Sequence, residues 1–594
     1  SLPTPRTPAD AQNLCRAPPA GRPAGVRGQP STASLDRAYS STRWVLADGI
    51  SYVPAASHPR RTLSVALHAL DRRGPGCYFC CMGRGILALV GLLGAIGCQD
   101  QRVRVTGGPD TTLDDPQSET AIAVSSTLDY TPSVAVTFND DTDNEANGYI
   151  DYTEGTRTIH PGASLMGWSY SLDKGQSFTY GGKIAPAIEE GWWALWGDPA
   201  ITTQTGEPEN SNVYIGNLAI SFRPFIEGGG TISGSVVGEV DGACVASSID
   251  GGVTFEHRQC INHPTCHNCI LCPGGVGDNN GQSCLSDDDC PGAYPYCKGD
   301  FYDGGSMTGT ATGQVFYAVH DVPAGTPHVW RSTISSPQFA LLDLPFPESQ
   351  SFVVHPRLRY DQYRSRVYIA QQYVLGSEIS GLAATYFEDG VWAPPTFNIM
   401  PGSLNVPIMP TVTTANGPMR TANQFSFDVG ETEVRFFFNT RNTENGNLSL
   451  RVVSCTPELT GCQVAYAWGQ SPPGSVADRF NPIIRVEPTE PFGERWGLQY
   501  QTTQFDPGGT VAVLRAVLDS PTAPLTPLTA VPGRDACPTS GTFYWGDYDD
   551  LQAVDRDTFG RALFITAFSQ SYDGCSKQWA YTAESVHVNA TVFP

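Results

Sequence analysis

The stretch Ser171-Leu-Asp-Lys-Gly-Gln-Ser-Phe178 decides how the chain is read. It recurs 77 residues later as Ser248-Ile-Asp-Gly-Gly-Val-Thr-Phe255. Both spell S-x-D-x-G-x-[ST]-F, and neither has a nucleophile, base or metal ligand beside it at catalytic spacing. The pattern suits a turn instead. An Asp carboxylate accepts from turn backbone N–H groups, Gly tolerates positive φ, and the aromatic can pack between neighbouring elements.

What surrounds the two octapeptides is strand-like. From residue 120 onward helical periodicity is almost absent, and apolar runs alternate with turns rich in Asp, Gly or Asn. Seven strand-pair units stand out: 132–140, 199–221, 312–321, 356–374, 425–441, 498–517 and 551–570. A repeat near the length of one four-stranded sheet predicts a radial all-β architecture, a six- or seven-bladed β-propeller over residues 118–590.

On these residues the chain resembles the Asp-box (BNR repeat) propellers of the sialidase-like family. The resemblance implies that Ser171, Asp173, Gly175 and Phe178, with Ser248, Asp250, Gly252 and Phe255, are structural markers on the face away from any active site. It also implies a place to look for chemistry. Sialidases hold the substrate carboxylate with three arginines and use a Tyr nucleophile paired with a Glu, plus an Asp acid/base. The nearest spelling of the family's first arginine motif is Phe222-Arg223-Pro224, which lacks the motif's Ile and follows the first box. Arg357, Arg435 and Arg485 supply further candidates, and Tyr500 with Glu494 offers a nucleophile pair, none within a family motif. Asp198 and Asp547 each follow a Gly at the start of a strand pair, where they either line a pocket or bond their own turn.

Charge and address bound the function. The chain has 594 residues and a net charge of −23. Residues 1–81 hold ten arginines, no lysine and four aspartates, so the part after the signal is more acidic still, at about −30. Such a body repels nucleic-acid phosphates and an anionic membrane surface. Arg84 and the apolar run Ile86–Gly97 read as a secretory signal, because twelve apolar residues fall short of a bilayer roughly 30 Å thick. Cys98 after Ala95-Ile96-Gly97 resembles a bacterial lipoprotein signal, whose pattern prefers Leu where Ala95 stands. The expected organisation is a disordered leader or over-extended start at 1–81 and a signal at 82–97. A linker over 98–117 then joins the propeller to a lipid anchor at Cys98. The corresponding address is the cell envelope, at the outer membrane or cell surface.

Twelve cysteines follow Cys98, eight of them between residues 244 and 297. An even count in an exported chain reads as disulfides, although the C-x2-C spacing beside His263 and His267 also suits zinc. Cys455 and Cys462 would close a hairpin, and residues 256–305 form a cysteine-rich insert within the propeller. Residues 143–154 fit the twelve-residue calcium loop, with Asp143, Glu145, Asn147, the Tyr149 carbonyl, Asp151 and Glu154 as Ca2+ ligands. Position 3 holds Glu where Asp or Asn is usual. The alternative is an acidic hairpin tip.

Three functions fit: binding of glycans or another extracellular ligand, exo-sialidase or related glycoside hydrolysis, and adhesion through the insert. The side chains lining the centre of the fold discriminate among them.

Overall fold

Second strands explain why this sequence reads as apolar runs rather than alternation. In Val434–Arg441 the residues Phe436, Phe437 and Phe438 are all buried. Successive side chains leave opposite faces of a strand. Phe436 and Phe438 therefore join one hydrophobic cluster and Phe437 another. The same division recurs in Val315–Asp321, where Tyr317 and Val319 face one way and Phe316 and Ala318 the other. A strand covered on both sides needs apolar residues at every position. Each fully buried Phe contributes about 1.5–3 kcal/mol.

The computed structural model describes most residues from 117 to 592 and the strand Arg102–Arg104. Residues 1–101, 105–116, 127–131, 141–149, 222–241, 271–295, 535–542, 571–584 and shorter stretches elsewhere lie outside the described residues. The described chain is all-β, and no α-helix occurs among the described residues.

Among the described residues seven antiparallel sheets of four or more strands follow one another along the chain. The first contains Gln117–Ser126, Pro132–Asp140, Met166–Ser171 and Thr179–Lys183. The second contains Trp192–Thr203, Val213–Ser221, Gly242–Ser248 and His257–Asn262. The third runs Tyr302–Gly309, Val315–Asp321, Thr326–Thr333 and Ser336–Leu342. The fourth is built on Arg357–Asp361, Arg366–Leu375, Glu378–Glu388 and Val391–Trp392, with two short strands added. The fifth contains Phe425–Val429, Val434–Arg441, Leu448–Cys455 and Gln463–Ala467. The sixth contains Arg479–Glu487, Arg495–Thr502, Val511–Leu518 and Thr526–Arg534. The seventh contains Asp550–Arg556, Ala562–Gln570 and Ser585–Val592. Its fourth strand is Arg102–Arg104, drawn from the stretch read as a linker and paired with Ser585–Val592.

Each of the seven strand-pair units seen in the sequence falls in a different sheet. Neighbouring sheets share hydrophobic clusters. Ala135 and Ile215 meet between the first and second, and Leu218 and Tyr317 between the second and third. Phe316 and Ile369 join the third and fourth, Tyr368 and Phe436 the fourth and fifth, and Phe437 and Leu498 the fifth and sixth. Ile483 packs with Leu551 and Phe564 between the sixth and seventh, and Val134, Val136 and Phe138 pack with Ile565 between the first and seventh.

The two octapeptides form the turns from third to fourth strand of the first and second sheets. Ser171 Oγ accepts from Gly175 N at 2.8 Å, and Asp173 Oδ1 accepts from Ser177 N at 2.8 Å. Ser248 Oγ accepts from Gly252 N at 2.9 Å, and Asp250 Oδ1 accepts from Thr254 N at 2.9 Å. Burial pushes both Asp carboxyls up, but the bonds they accept outweigh it and leave both below the ordinary range. Gly175 (φ 84°) abuts Ile565 of the seventh sheet, and Gly252 (φ 92°) abuts Ala135 of the first. A left-handed turn pressed against the preceding sheet leaves room only for glycine. Phe255 is buried edge-on to Trp168, with ring centroids 5.6 Å apart.

Disulfides Cys244–Cys260 and Cys455–Cys462 each join a third strand to its fourth strand or the turn before it. The second is the hairpin closure read from the sequence. Of the insert, Asn268–Ile270 pairs with Tyr296–Lys298 as a separate two-stranded sheet, and the remainder is mostly outside the described residues.

Candidate functional site

Among the described residues the first strand of each sheet pairs with one other strand only, apart from a bridge of Leu195 to Ala163–Leu165, so many of its N–H and C=O groups need other partners. Side chains of the next first strand supply many of them. Thr202 Oγ1 accepts from Gly309 N at 2.9 Å, and Ser306 Oγ accepts from Leu358 N at 2.9 Å. Arg357 Nε donates to Phe425 O at 3.4 Å. Asp428 Oδ2 accepts from Val486 N at 2.9 Å, and Arg485 Nη1 donates to Ser426 Oγ at 2.9 Å. Arg485 Nη2 also pairs with Asp550 Oδ1, and Asp550 Oδ2 accepts from Ile122 N at 3.2 Å. These bonds run from the second sheet through the seventh and on to the first. Between the first and second, Asn139 Oδ1 accepts from Asp198 N at 3.0 Å.

The first strands surround a cavity of about 300 Å³ to which all seven contribute. Its charged lining is Arg357, Arg359, Arg485, Asp428 and Asp550, and Ser306, Ser426, Thr202, Asn481, Gln552 and Tyr360 add hydroxyl and amide groups. Both carboxylates are occupied. Asp428 accepts backbone N–H groups on each oxygen, from Val429 at 2.9 Å and Val486 at 2.9 Å. Asp550 accepts from Ile122 on one oxygen and from Leu551, at 2.8 Å, and Arg485 on the other. Burial raises the Asp428 carboxyl against the opposing pull of Arg359 and Arg485.

Arg359 differs from its neighbours. Its Nη1 donates to Leu358 O at 2.6 Å, its Nε is shut off from solvent with no partner, and no described carboxylate pairs with it. Burial, with repulsion from Arg485, lowers its guanidinium to about 9. Asp428 and Asp550 pull against that lowering without bonding to Arg359, and a half-buried guanidinium with no bonded carboxylate presents an anion site, because it gains most from an oxygen-rich anion able to accept two parallel bonds.

Two sequence candidates, Arg357 and Arg485, are brought together here. Arg435 is not: it lies on a second strand, paired with Glu433 and 4.6 Å over the Trp496 ring. Tyr500 is buried in the cluster between the fifth and sixth sheets, and Glu494 accepts from Glu431 N, so neither lines the cavity. Asp198 takes φ 52° and bonds Gly304 N of the third sheet at 2.8 Å rather than its own turn. Arg223, Asp547, His263, His267 and Cys98 lie outside the described residues. Of the calcium loop only the backbone of Ile150–Thr153 is described; it pairs with Thr156–Ile159, and the remaining ligand positions lie outside. Among the described residues no group of three His, Cys, Asp or Glu is placed to hold a metal ion.

The residue that sequence reading missed is Arg359. Its signal is period two: in Arg357-Leu-Arg359 both arginines leave the same strand face, and Leu358 turns into the core.

No protein-family model and no curated protein matches the chain. Among solved structures it is similar to the Penicillium chrysogenum α-L-arabinanase complexed with arabinobiose, at 9% identity over 83% of this chain and 97% of that one, with a TM-score of 0.38. It is similar to the Hadza microbial sialidase Hz136 at 12% identity over 65% and 63%, with a TM-score of 0.34. The Streptococcus pneumoniae NanB sialidase gives 8% identity over 64% and 65%, with a TM-score of 0.34. Likeness at this level assigns neither a fold nor an activity to the chain.

Proposed function

We propose that the seven sheets are blades of a sialidase-like β-propeller, with Arg102–Arg104 completing the last, and that the central cavity binds an acidic sugar. The observation that carries the ligand is Arg359, a guanidinium facing an Asp/Arg-lined cavity without a carboxylate of its own. Three arginines against two carboxylates leave the cavity positive within a chain of net charge −23. Hydroxyl and amide side chains around them match the hydroxyls of a polyhydroxylated carboxylic acid.

Binding is favoured over hydrolysis on a second observation. Glycoside hydrolysis needs a carboxyl oxygen free to approach the glycosidic oxygen or a water. Every oxygen of Asp428 and Asp550 already accepts a backbone or guanidinium bond.

Calorimetric titration with glucuronate and N-acetylneuraminate, against glucose as the neutral control, tests the reading. The acidic sugars should bind and glucose should not. Arg359→Met should weaken binding roughly 10- to 150-fold, the worth of a hydrogen bond to a charged group. Equal binding of glucose, or an unaltered Kd in Arg359→Met, would sink it.

The same reading places the protein at the cell envelope, tethered by lipid on Cys98. The mass of the mature N-terminal peptide checks this, and an unmodified peptide starting elsewhere refutes it.

A further inference from the structure

Of the two carboxylates that line the cavity, Asp428 is the one to which no described guanidinium is bonded. It stands in Phe425–Val429, the first strand of the fifth sheet, and lines the same cavity as Arg359 and Arg485. Its Oδ1 accepts from Val429 N and its Oδ2 from Val486 N, both at 2.9 Å. Every element packed against it carries charge. The first strand of the fourth sheet sends Arg357, Arg359 and Asp361 along one face, and Asp361 is claimed by the Arg364 guanidinium 3.0 Å away. The first strand of the sixth sheet brings Arg485 and, two residues on, the buried Glu487, with Arg479 at its opposite end. Arg435 lies opposite Asp428 in register on the second strand of its own sheet, but it is held by Glu433 and the Trp496 ring. Asp550 of the seventh sheet is held by Arg485. Burial keeps the Asp428 proton on, and Arg359 and Arg485 pull against it without prevailing.

An anion entering the cavity therefore meets one carboxylate neutralised by a guanidinium and one that is not. Ionised, Asp428 subtracts from the attraction at Arg359 and Arg485; protonated, it does not. We infer that Asp428 makes the site proton-linked, so that the cavity takes up its acidic ligand together with a proton and binds it more tightly as the medium turns acid. The inference rests on the acidic-sugar reading above and adds to it how that site is regulated. The coupling is reciprocal. A ligand carboxylate repels the ionised form of Asp428 and favours the protonated one, so protonation favours the ligand by the same factor. A ligand that moves the Asp428 titration by one pH unit binds roughly tenfold more tightly to the protonated site. No histidine is among the described lining residues, and neither Asp361 nor Glu487 lines the cavity.

Calorimetric titration of the full chain with N-acetylneuraminate provides the test. Between about pH 5 and about pH 8 a ligand carboxylate and the guanidinium groups stay charged, which leaves Asp428 as the lining group free to titrate. Kd should rise roughly tenfold across that window. Titrations in two buffers of different ionisation enthalpy should show a net uptake of protons on binding. Asp428→Asn should give a Kd that is flat across the window, with no proton taken up. A flat Kd and no proton uptake in the unaltered protein overturn the linkage and leave the acidic-sugar reading standing. A folded Asp428→Asn variant that keeps the full pH dependence overturns the assignment to Asp428. Failure to bind at every pH overturns both readings. Should the variant not fold, proton uptake by the unaltered protein still decides.

Discussion

Arg485→Met is expected to lower stability by about 3–5 kcal/mol, the cost of breaking a buried pair by removing one partner. Arg485 is 5% exposed and holds three groups, Ser426 Oγ, Ile484 O and Asp550 Oδ1. Methionine fills much of the volume but leaves Asp550 with backbone donors alone and Asp428 with Arg359 alone. The double variant Arg485→Met/Asp550→Asn should recover only part of the loss, because no stranded charge remains but the amide nitrogen cannot accept one of the two backbone N–H groups that Asp550 holds. Asp428 adds a pH signature. Its carboxyl is already raised by burial, so the native state holds a proton that the unfolded chain releases first. Stability from this group is fully present below the unfolded value of 3.8 and is lost as pH rises through the raised one. Without Arg485 that value rises further and the window widens upward. Urea midpoints from about pH 4 to about pH 7 report both effects. A single variant as stable as the parent would show that the pair does not hold the first strands together.

The second large effect is expected from one methyl group. A Cβ on Gly309 would overlap the carbonyl oxygen of Thr203 and sit 2.9 Å from its carbonyl carbon and 3.1 Å from Gln204 Cα. All three are backbone atoms of the neighbouring sheet or its following turn, so no rotamer relieves the clash. The Thr202–Gly309 bond of 2.9 Å would be strained with it. Gly309→Ala should cost about 3 kcal/mol, the upper end for overpacking. Gly390 is the control: its φ of 86° is unfavourable to alanine, but nothing lies within 4 Å of the added carbon. Gly390→Ala should cost about 1 kcal/mol from backbone strain alone. If chemical denaturation ranks the two the other way, the approach of the second and third sheets is looser than the geometry gives.

Much of the architecture was legible because its causes are local. Runs such as Val434-Arg-Phe-Phe-Phe438 record a strand covered on both faces, and the two octapeptides record turns whose Ser, Asp and Gly are each required by a bond or a φ. The site was legible only in part. Arg357 and Arg485 were candidates for their charge, but so was Arg435, and it lies with the candidate nucleophile Tyr500 on second strands, where sheet stacking and not the cavity claims them. Strand rank within a sheet separates the two groups, and rank depends on long-range pairing. The parallel backbone pairing of Met419 with Phe543 was invisible for the same reason, since it joins segments far apart in the sequence. The three-residue strand Arg102–Arg104 is too short to leave any period.

That short strand bears on how the molecule is assembled. Arg102 lies opposite Asn589, Val103 opposite Val588 and Arg104 opposite His587. Closing a loop this long costs little more entropy than closing a moderate one, because the penalty grows only with the logarithm of length. The constraint is one of timing. Arg102–Arg104 must wait for Ser585–Val592, which lies far downstream, since ribosomes deliver the chain from its N-terminus. A nascent or truncated chain can stack six sheets and still hold an unpaired edge on Ala562–Gln570, the kind of edge that recruits other chains. Completion of the seventh sheet therefore comes late, and until then it keeps one more open edge than the finished fold.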